Sequence, residues 1–201
     1  QSSIASGVRR VEALRDKQLE KYENSLKQNK SLKEKNLNEE IKTIKKELQF
    51  LKITPDYRDQ LNLSENLKNL NKQLSLVRIE NIKKDKSKNI IKERQIGKIK
   101  IREQLLKDFP PKELRGIIDQ GKKEIKSGII ICISTFEDKV GVAVGVSKDL
   151  TSKYDAVNLV KIASETLGGK GGGGRKDFAQ AGGVDKDKVE KAFKEISKKI
   201  N

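Results

Sequence analysis

Several residue types on which most enzymes depend are missing or scarce in this chain. It contains no histidine, no methionine and no tryptophan, a single cysteine and only three prolines among 201 residues. Without histidine, the Ser-His-Asp triad, the Cys-His pair and the common histidine-containing metal sites cannot be built. The sequence therefore argues against a catalytic centre and against a bound metal in this chain.

The other scarce features concern where in the cell the protein is found and whether the sequence is part of a longer chain. The lone cysteine, Cys132, lies in the apolar run 128–134, which predicts a buried small hydrophobe rather than a reactive thiol. No stretch reaches the roughly 18 apolar residues of a membrane span, and residues 1–15 lack the apolar core of a signal peptide. We expect a cytoplasmic protein that does not engage a membrane. The absence of an initiator methionine before Gln1 indicates a piece of a longer chain.

What the chain has in abundance is positive charge. Its 45 Lys and Arg residues against 29 Asp and Glu residues give a formal net charge of +16. Lys and Arg that neutralise phosphates release condensed counterions whatever the base sequence, so this imbalance indicates a polyanionic partner. Nucleic acid is the first interpretation. An anionic membrane surface is the second, but it calls for bulky aromatics on an amphipathic helix, and aromatic residues make up only 4% of the chain.

The first half of the chain predicts two long helices. Residues 12–51 are nearly free of Gly and Pro, Pro55 interrupts the pattern, and a second apolar stripe follows. Either an antiparallel hairpin or dimerisation would cover the two stripes, and the sequence leaves both open. The stripes consist of Leu37, Ile41, Ile44, Leu48 and Leu51, and of Leu63, Leu67, Leu70, Leu74 and Val77.

The densest basic run, residues 78–102, lies between the two halves of the chain. It is interpreted either as a solvated junction or as a phosphate-contacting segment, and the overall charge favours the second. The second half then predicts a compact α+β domain. We expect a strand within 96–106, a helix opened by Pro110-Pro111, a hairpin of strands 129–135 and 140–146, and helices over 152–167 and 185–200.

The glycine segment, residues 167–183, reads LGGKGGGGRKDFAQAGG and is the most informative stretch. Glycine lets backbone N–H groups approach a ligand closely, and flanking cations favour an anion. The sequence matches neither a P-loop nor a Rossmann motif, and a flexible linker is the alternative. Asp177 and Gln180 in this segment could be ligand contacts or structural groups.

The glycine segment resembles the signature of the C-terminal domain of alanyl-tRNA synthetases. Residues 5–13 (ASGVRRVEA) resemble the closing strand and helix of the editing domain of those enzymes, and residues 144–150 (VGVSKDL) resemble the strand before their glycine segment. A related domain occurs in DHH-type phosphoesterases. The order of the three matches favours the synthetases.

The resemblance implies an ATP-dependent alanine–tRNA ligase as the parent, which uses ATP, Mg and Zn, while this fragment carries no cofactor and no catalytic residue. It implies that the fragment grips the corner of tRNA(Ala), couples aminoacylation with editing, and contributes to a homodimer in some members. A purely structural dimerisation module and an accessory substrate-binding domain of a phosphoesterase remain the alternatives.

The complete expectation is an α+β chain in three parts. A tail of the editing domain (1–11) precedes a long coiled-coil-like helical hairpin (12–95), and a small globular nucleic-acid-binding domain (96–201) follows, with a mostly antiparallel sheet and a glycine-rich loop. The predicted nucleic-acid contacts are Lys98, Lys100, Arg102, Lys170, Gly171, Gly172, Gly173, Gly174, Arg175 and Lys176. Contacts of this kind position a tRNA and do not read its identity.

Overall fold

The computed structural model describes residues 2–5, 8–10 and 15–200. Two short antiparallel strands, β1 (Ser2–Ala5) and β2 (Val8–Arg10), lie in the region of the predicted editing-domain tail. The rest of the segment that carries this prediction, including residues 11–13, lies outside the described residues. We retain the domain boundaries at 11/12 and 95/96 as a proposal.

The chain divides into two compact units, Gln1–Leu74 and Ser75–Asn201. The first unit contains helix α1 (Lys17–Phe50) and most of helix α2 (Leu63–Lys84), so the predicted pair of long helices is confirmed. Both apolar stripes bury their central residues, which are Ile41, Ile44 and Leu48 on α1 and Leu70 and Leu74 on α2.

The connection between the two helices is fastened to α2 by side-chain amides. The fully buried Asn66 accepts a hydrogen bond from the Arg58 backbone N–H at 2.9 Å and donates to the carbonyls of Arg58 and Leu61. Gln73 likewise donates to the Thr54 carbonyl and accepts from the Asp56 N–H, both at 2.9 Å. These bonds satisfy backbone groups that the break at Pro55 leaves outside a helix.

The second unit is built on a six-stranded sheet with the order β3-β4-β5-β6-β8-β7. All pairings are antiparallel except that of β4 with β5, which confirms the predicted mostly antiparallel sheet. The strands are β3 (Asn89–Ile96), β4 (Ile99–Lys107), β5 (Gly128–Phe136), β6 (Lys139–Val146), β7 (Gly172–Arg175) and β8 (Phe178–Gly183).

Helices cover both faces of this sheet. Helices α4 (Ala156–Thr166) and α5 (Val189–Ile200) pack on one face through a core that contains Ile131, Val144 and Phe193. Helix α3 (Leu114–Ile125) and the end of α2 cover the other face, where Ile79 and Ile118 meet Cys132. Burial raises the pKa of the Cys132 thiol, and the prediction of a buried cysteine is confirmed.

Outside the glycine segment, one strand and the starts of two helices differ from the prediction. Strand β3 lies within the basic run and was not predicted as a strand, because its residues 90–95 are exposed and show no apolar alternation. Helix α4 begins at Ala156 and not at 152, since the Asp155 side chain caps it by accepting from the Val157 N–H at 2.8 Å. Helix α5 begins at Val189, after a 3₁₀ turn at Lys186–Lys188.

Candidate nucleic-acid interface

The glycine segment leads from α4 to the edge of the sheet. Residues 168–171 form the predicted glycine-rich loop, and β7 then pairs antiparallel with β8 through the turn at 176–177. In the described part of the chain β7 has no strand on its other side, so it is an edge strand. The segment is thus an ordered hairpin and not a flexible linker.

Most of its glycines are required by close packing within the chain. A Cβ on Gly169 would lie 2.0 Å from the Gly182 carbonyl oxygen, and one on Gly172 would lie 2.5 Å from the Ala181 Cβ. Gly174 has a φ of +154° and a Cβ there would lie 2.3 Å from the Phe178 carbonyl oxygen. Gly173 is different, because a Cβ at that position would meet nothing within 4 Å. The absence of side chains at Gly169, Gly172 and Gly174 therefore allows the backbone of this segment to pack closely against β8 and its neighbours, rather than against a ligand. Of these four glycines, only Gly173 faces open space.

The turn after β7 presents two exposed cations beside one carboxylate. The Arg175 guanidinium, which is 69% exposed, donates to Asp177 at 3.0 Å, and Lys122 from the end of α3 lies 3.5 Å from the same carboxylate. The hydrogen bond from Arg175 lowers the pKa of Asp177. Lys176 is exposed and forms no ion pair with any described residue.

Asp177 and Gln180 both have intramolecular partners. Asp177 is held by Arg175 and Lys122, and its backbone carbonyl also accepts a hydrogen bond from Lys122. The Gln180 side chain donates to the Pro111 carbonyl at 3.0 Å. Of the two alternatives left open by the sequence, these contacts favour structural roles for both residues.

Lys170 lies apart from the other predicted cations of the glycine segment. It precedes β7, whereas Arg175 and Lys176 follow it, so the length of the strand separates them. The neighbouring Gly171 N–H donates to the Ser164 hydroxyl at 3.3 Å, which fixes the loop against α4. Lys170 is exposed.

The second predicted group, Lys98, Lys100 and Arg102, lies at the start of β4. Lys98 is in the β3–β4 turn, and both lysines are exposed. Arg102 is only 14% exposed, because its guanidinium contacts Glu93 at 2.7 Å and Glu124 at 2.5 Å. Arg102 is therefore engaged within the protein, and the two lysines are the accessible members of this group.

The strand register brings the two lysines to the same end of the sheet as Arg175 and Lys176. Lys100 lies beside Gly128 at the start of β5, Ile129 pairs with Val146 at the end of β6, and the Val146 N–H donates to the Asp177 carbonyl at 2.9 Å. We call this end, which contains the β3–β4 and β7–β8 turns, the lysine end. The other end, which contains the β5–β6 turn and Lys170, is called the opposite end.

Sequence reasoning missed three further exposed lysines at the lysine end. Lys126 follows α3, while Lys148 and Lys153 lie in the segment between β6 and α4. Lys126 precedes the predicted strand 129–135 by three residues and Lys148 follows the predicted strand 140–146 by two, whereas Lys153 lies within the predicted helix 152–167. Only the register shows that these element ends meet.

The described residues contain no helix that is both long enough and apolar enough to cross a lipid bilayer.

The comparisons with a family model and with curated proteins agree with one another. A family model described as the DHHA1 domain matches residues 98–201. An alanine–tRNA ligase of Bradyrhizobium diazoefficiens is 46% identical over 106 residues, which are 52% of this chain and 12% of that protein. The alanine–tRNA ligase of Hyphomonas neptunium is 51% identical over 85 residues, 42% of this chain and 10% of the relative. The chain thus spans only a small part of the curated relatives that it matches.

A solved structure supports the same assignment. The crystal structure of the C-Ala domain from Aquifex aeolicus alanyl-tRNA synthetase is 31% identical and superimposes with a TM-score of 0.51. The match covers 54% of this chain and 96% of that domain. The resemblance to alanyl-tRNA synthetases inferred from the glycine segment is confirmed. The chain therefore belongs to the DHHA1 domain family and is similar to the C-Ala domain of alanyl-tRNA synthetase.

Proposed function

We propose that this chain is the tRNA-binding C-terminal region of an alanine–tRNA ligase and that it holds tRNA(Ala) while chemistry takes place elsewhere in the parent enzyme. The observation that carries the proposal is the glycine hairpin, which ends in the exposed cations Arg175 and Lys176 at the lysine end of the sheet. Exposed cations on a rigid turn suit phosphate oxygens, which lie on the outside of a folded RNA.

The parent enzyme is proposed to be a cytoplasmic, ATP-dependent ligase that uses ATP, Mg and Zn in domains outside this chain. Editing removes amino acids that a pocket shaped for alanine cannot exclude by binding energy alone. A C-terminal region that grips the tRNA corner would keep one tRNA bound while its acceptor end moves between the two active sites. Residues 1–11 would then be the end of the editing domain.

A salt-dependent titration tests the tRNA-binding role. The 201-residue chain is titrated with a tRNA(Ala) transcript at 50 mM and 200 mM salt. We expect binding that weakens steeply with salt, because each neutralised phosphate contributes about −0.9 to the slope of log K against log salt. The double variant Arg175→Gln/Lys176→Gln should weaken binding. Absence of binding at 50 mM salt would disprove the proposal.

Dimerisation is the second candidate, and the first half of α1 favours it. Leu19, Tyr22 and Leu26 follow one another at helical spacing and are 45–50% exposed, although large apolar side chains at such spacing usually meet a partner. A homodimer through this stripe would cover them. Light scattering during the same titration measures the mass, and a monomer at all concentrations would exclude this candidate.

A further inference from the structure

The lysine end of the sheet differs in ion pairing from the opposite end. Six exposed lysines lie at the lysine end, and within the described part of the chain none of them forms an ion pair. They come from four separate parts of the domain, which are the β3–β4 hairpin, the end of α3, the β6–α4 connection and the β7–β8 turn. The six are Lys98, Lys100, Lys126, Lys148, Lys153 and Lys176.

Carboxylates are present at the lysine end, but other groups occupy them. Asp149 accepts a hydrogen bond from the Ser127 hydroxyl at 2.6 Å, and Asp155 caps α4. Asp177 is held by Arg175 and Lys122. Asp149 and Asp155 keep their charge, but among the described residues no carboxylate at this end forms an ion pair with one of the six lysines.

Several lysines at the opposite end are neutralised. Lys88 lies 2.9 Å from Asp108, Lys186 lies 3.3 Å from Asp138, and Lys188 lies 2.6 Å from Asp185. Each of these pairs joins residues in or beside the turns that close the sheet at that end. Five further exposed lysines at that end form no ion pair with a described residue, but they share it with the exposed carboxylates of Asp108, Glu137, Asp138 and Asp187. The five are Lys86, Lys107, Lys112, Lys139 and Lys170. The lysine end has fewer carboxylates and therefore carries the larger excess of positive charge.

We infer that the lysine end is one continuous surface for the phosphate backbone of folded tRNA, and that Lys126, Lys148 and Lys153 bridge the two groups of predicted contacts. This inference rests on the proposed tRNA-binding role and assigns three residues to it.

The width of the lysine end fits this role. β4 and β7 are four strand spacings apart, about 19 Å at roughly 4.8 Å per spacing. A surface of that width can contact several phosphates of a folded RNA at once. Lys126 and Lys148 lie beside β5 and β6, between the outer groups.

A pair of charge-matched triple variants tests the inference in the 201-residue chain. Lys126→Gln/Lys148→Gln/Lys153→Gln removes the bridging lysines. Lys86→Gln/Lys112→Gln/Lys139→Gln removes three exposed lysines from the opposite end that also form no ion pair with any described residue. Both variants lose the same net charge, so the general attraction of a basic protein for RNA falls equally. Urea unfolding of both verifies that the fold is unchanged.

The bridging variant should bind tRNA(Ala) about tenfold or more weakly at 0.1 M salt, and its salt slope should fall by about two to three. The control variant should change affinity by less than about threefold. Equal effects of the two variants on a chain that does bind tRNA would overturn the inference and leave the tRNA-binding role intact. A parent chain that fails to bind tRNA at low salt overturns both. A third outcome is that the chain does not bind tRNA but binds phosphatidylserine vesicles, and that the bridging variant loses this vesicle binding. That outcome would assign the surface to a membrane instead.

Discussion

The two edge strands of the sheet are built from opposite kinds of residues. β3 carries long charged side chains, among them Lys92, Glu93 and Arg94, whereas β7 consists of three glycines and Arg175. Lys92 reaches Glu190 at 3.3 Å and Arg94 reaches Glu103 at 3.1 Å, so ion pairs connect β3 to its neighbours. β7 has almost no side chains with which to do so. Its backbone instead lies so close to β8 and α4 that a Cβ does not fit at Gly172 or Gly174.

This difference shows how each edge strand avoids pairing with a strand of another molecule and how well it tolerates amino-acid substitution. Charged side chains discourage another strand from pairing with β3. The ion pairs that these side chains form are exposed, so water and salt weaken them. Close packing fixes β7 sterically, and steric contacts in a packed region do not relax cheaply. Substitutions should therefore cost most at β7, although β3 makes many more side-chain contacts.

The largest effect is expected from Gly172→Ala. The new Cβ would lie 2.6 Å from the Gln180 carbonyl oxygen and 2.7 Å from a Val160 methyl, so β7 must shift away from β8. We expect a loss of about 1–3 kcal/mol in the free energy of unfolding, measured with urea. Gly173→Ala on the same strand is the matched control and should stay within about 0.5 kcal/mol. Equal losses at both positions would show that strand propensity, and not packing, controls this edge.

The next effect concerns Arg102, the best-connected cation near β3. Arg102→Gln removes hydrogen bonds to Glu93 and Glu124 from a side chain that is only 14% exposed. Both carboxylates are about half exposed and can return to water, so we expect a loss of about 1 kcal/mol in urea unfolding. Lys92→Gln, which breaks a pair exposed by 61% and 65%, should cost less than about 0.5 kcal/mol. A larger loss from Lys92→Gln than from Arg102→Gln would contradict this ranking.

The same contrast explains which elements could be predicted from the sequence. β5 and β6 could be recognised as strands from their sequences. Both faces of these strands are buried, so their residues form nearly continuous apolar and mostly β-branched runs. The helical stripes were clear because a single face is buried. β3 is exposed on both faces and β7 has almost no side chains, so neither carries a hydrophobic pattern. Both edges of the sheet were missed as strands for these different reasons.

The site was predictable in its residue types but not in its arrangement. The glycine segment and the run around Lys98 are visible as local sequence, and the family resemblance came from the first of them. That Lys100 and Lys176 share one end of the sheet depends on the β4–β5, β5–β6 and β6–β8 registers. Lys126 and Lys148 join them only through the same pairings. No spacing along the chain contains this information, because α4 separates β6 from its neighbour β8.

A smaller effect should appear in the titration of Glu124. Its hydrogen bond from Arg102 lowers the pKa of the Glu124 carboxyl below the ordinary value of about 4.3. The stabilisation from this pair is therefore complete above that ordinary value and is lost as the pH falls through the lowered pKa of the folded state. In Arg102→Gln the Glu124 titration, followed by NMR with 13C-labelled glutamate, should move upwards. Lys92→Gln should leave it in place, and a shift there would mean that the whole β3 edge has rearranged.

The smallest effect on stability is expected from Arg175→Gln, even though Arg175 is the only side chain longer than a hydrogen atom on β7. Its pair with Asp177 spans two residues of one turn, and the guanidinium is 69% exposed, so we expect a change within about 0.5 kcal/mol in urea unfolding. Lys122 still contacts the Asp177 carboxylate and carbonyl in this variant and keeps the turn in place. A loss above about 1 kcal/mol would show that β7, like β3, is held by its charges. If stability is unchanged, any loss of tRNA affinity in Arg175→Gln reports on the RNA contact itself, because the glycine packing that builds the edge does not involve this side chain.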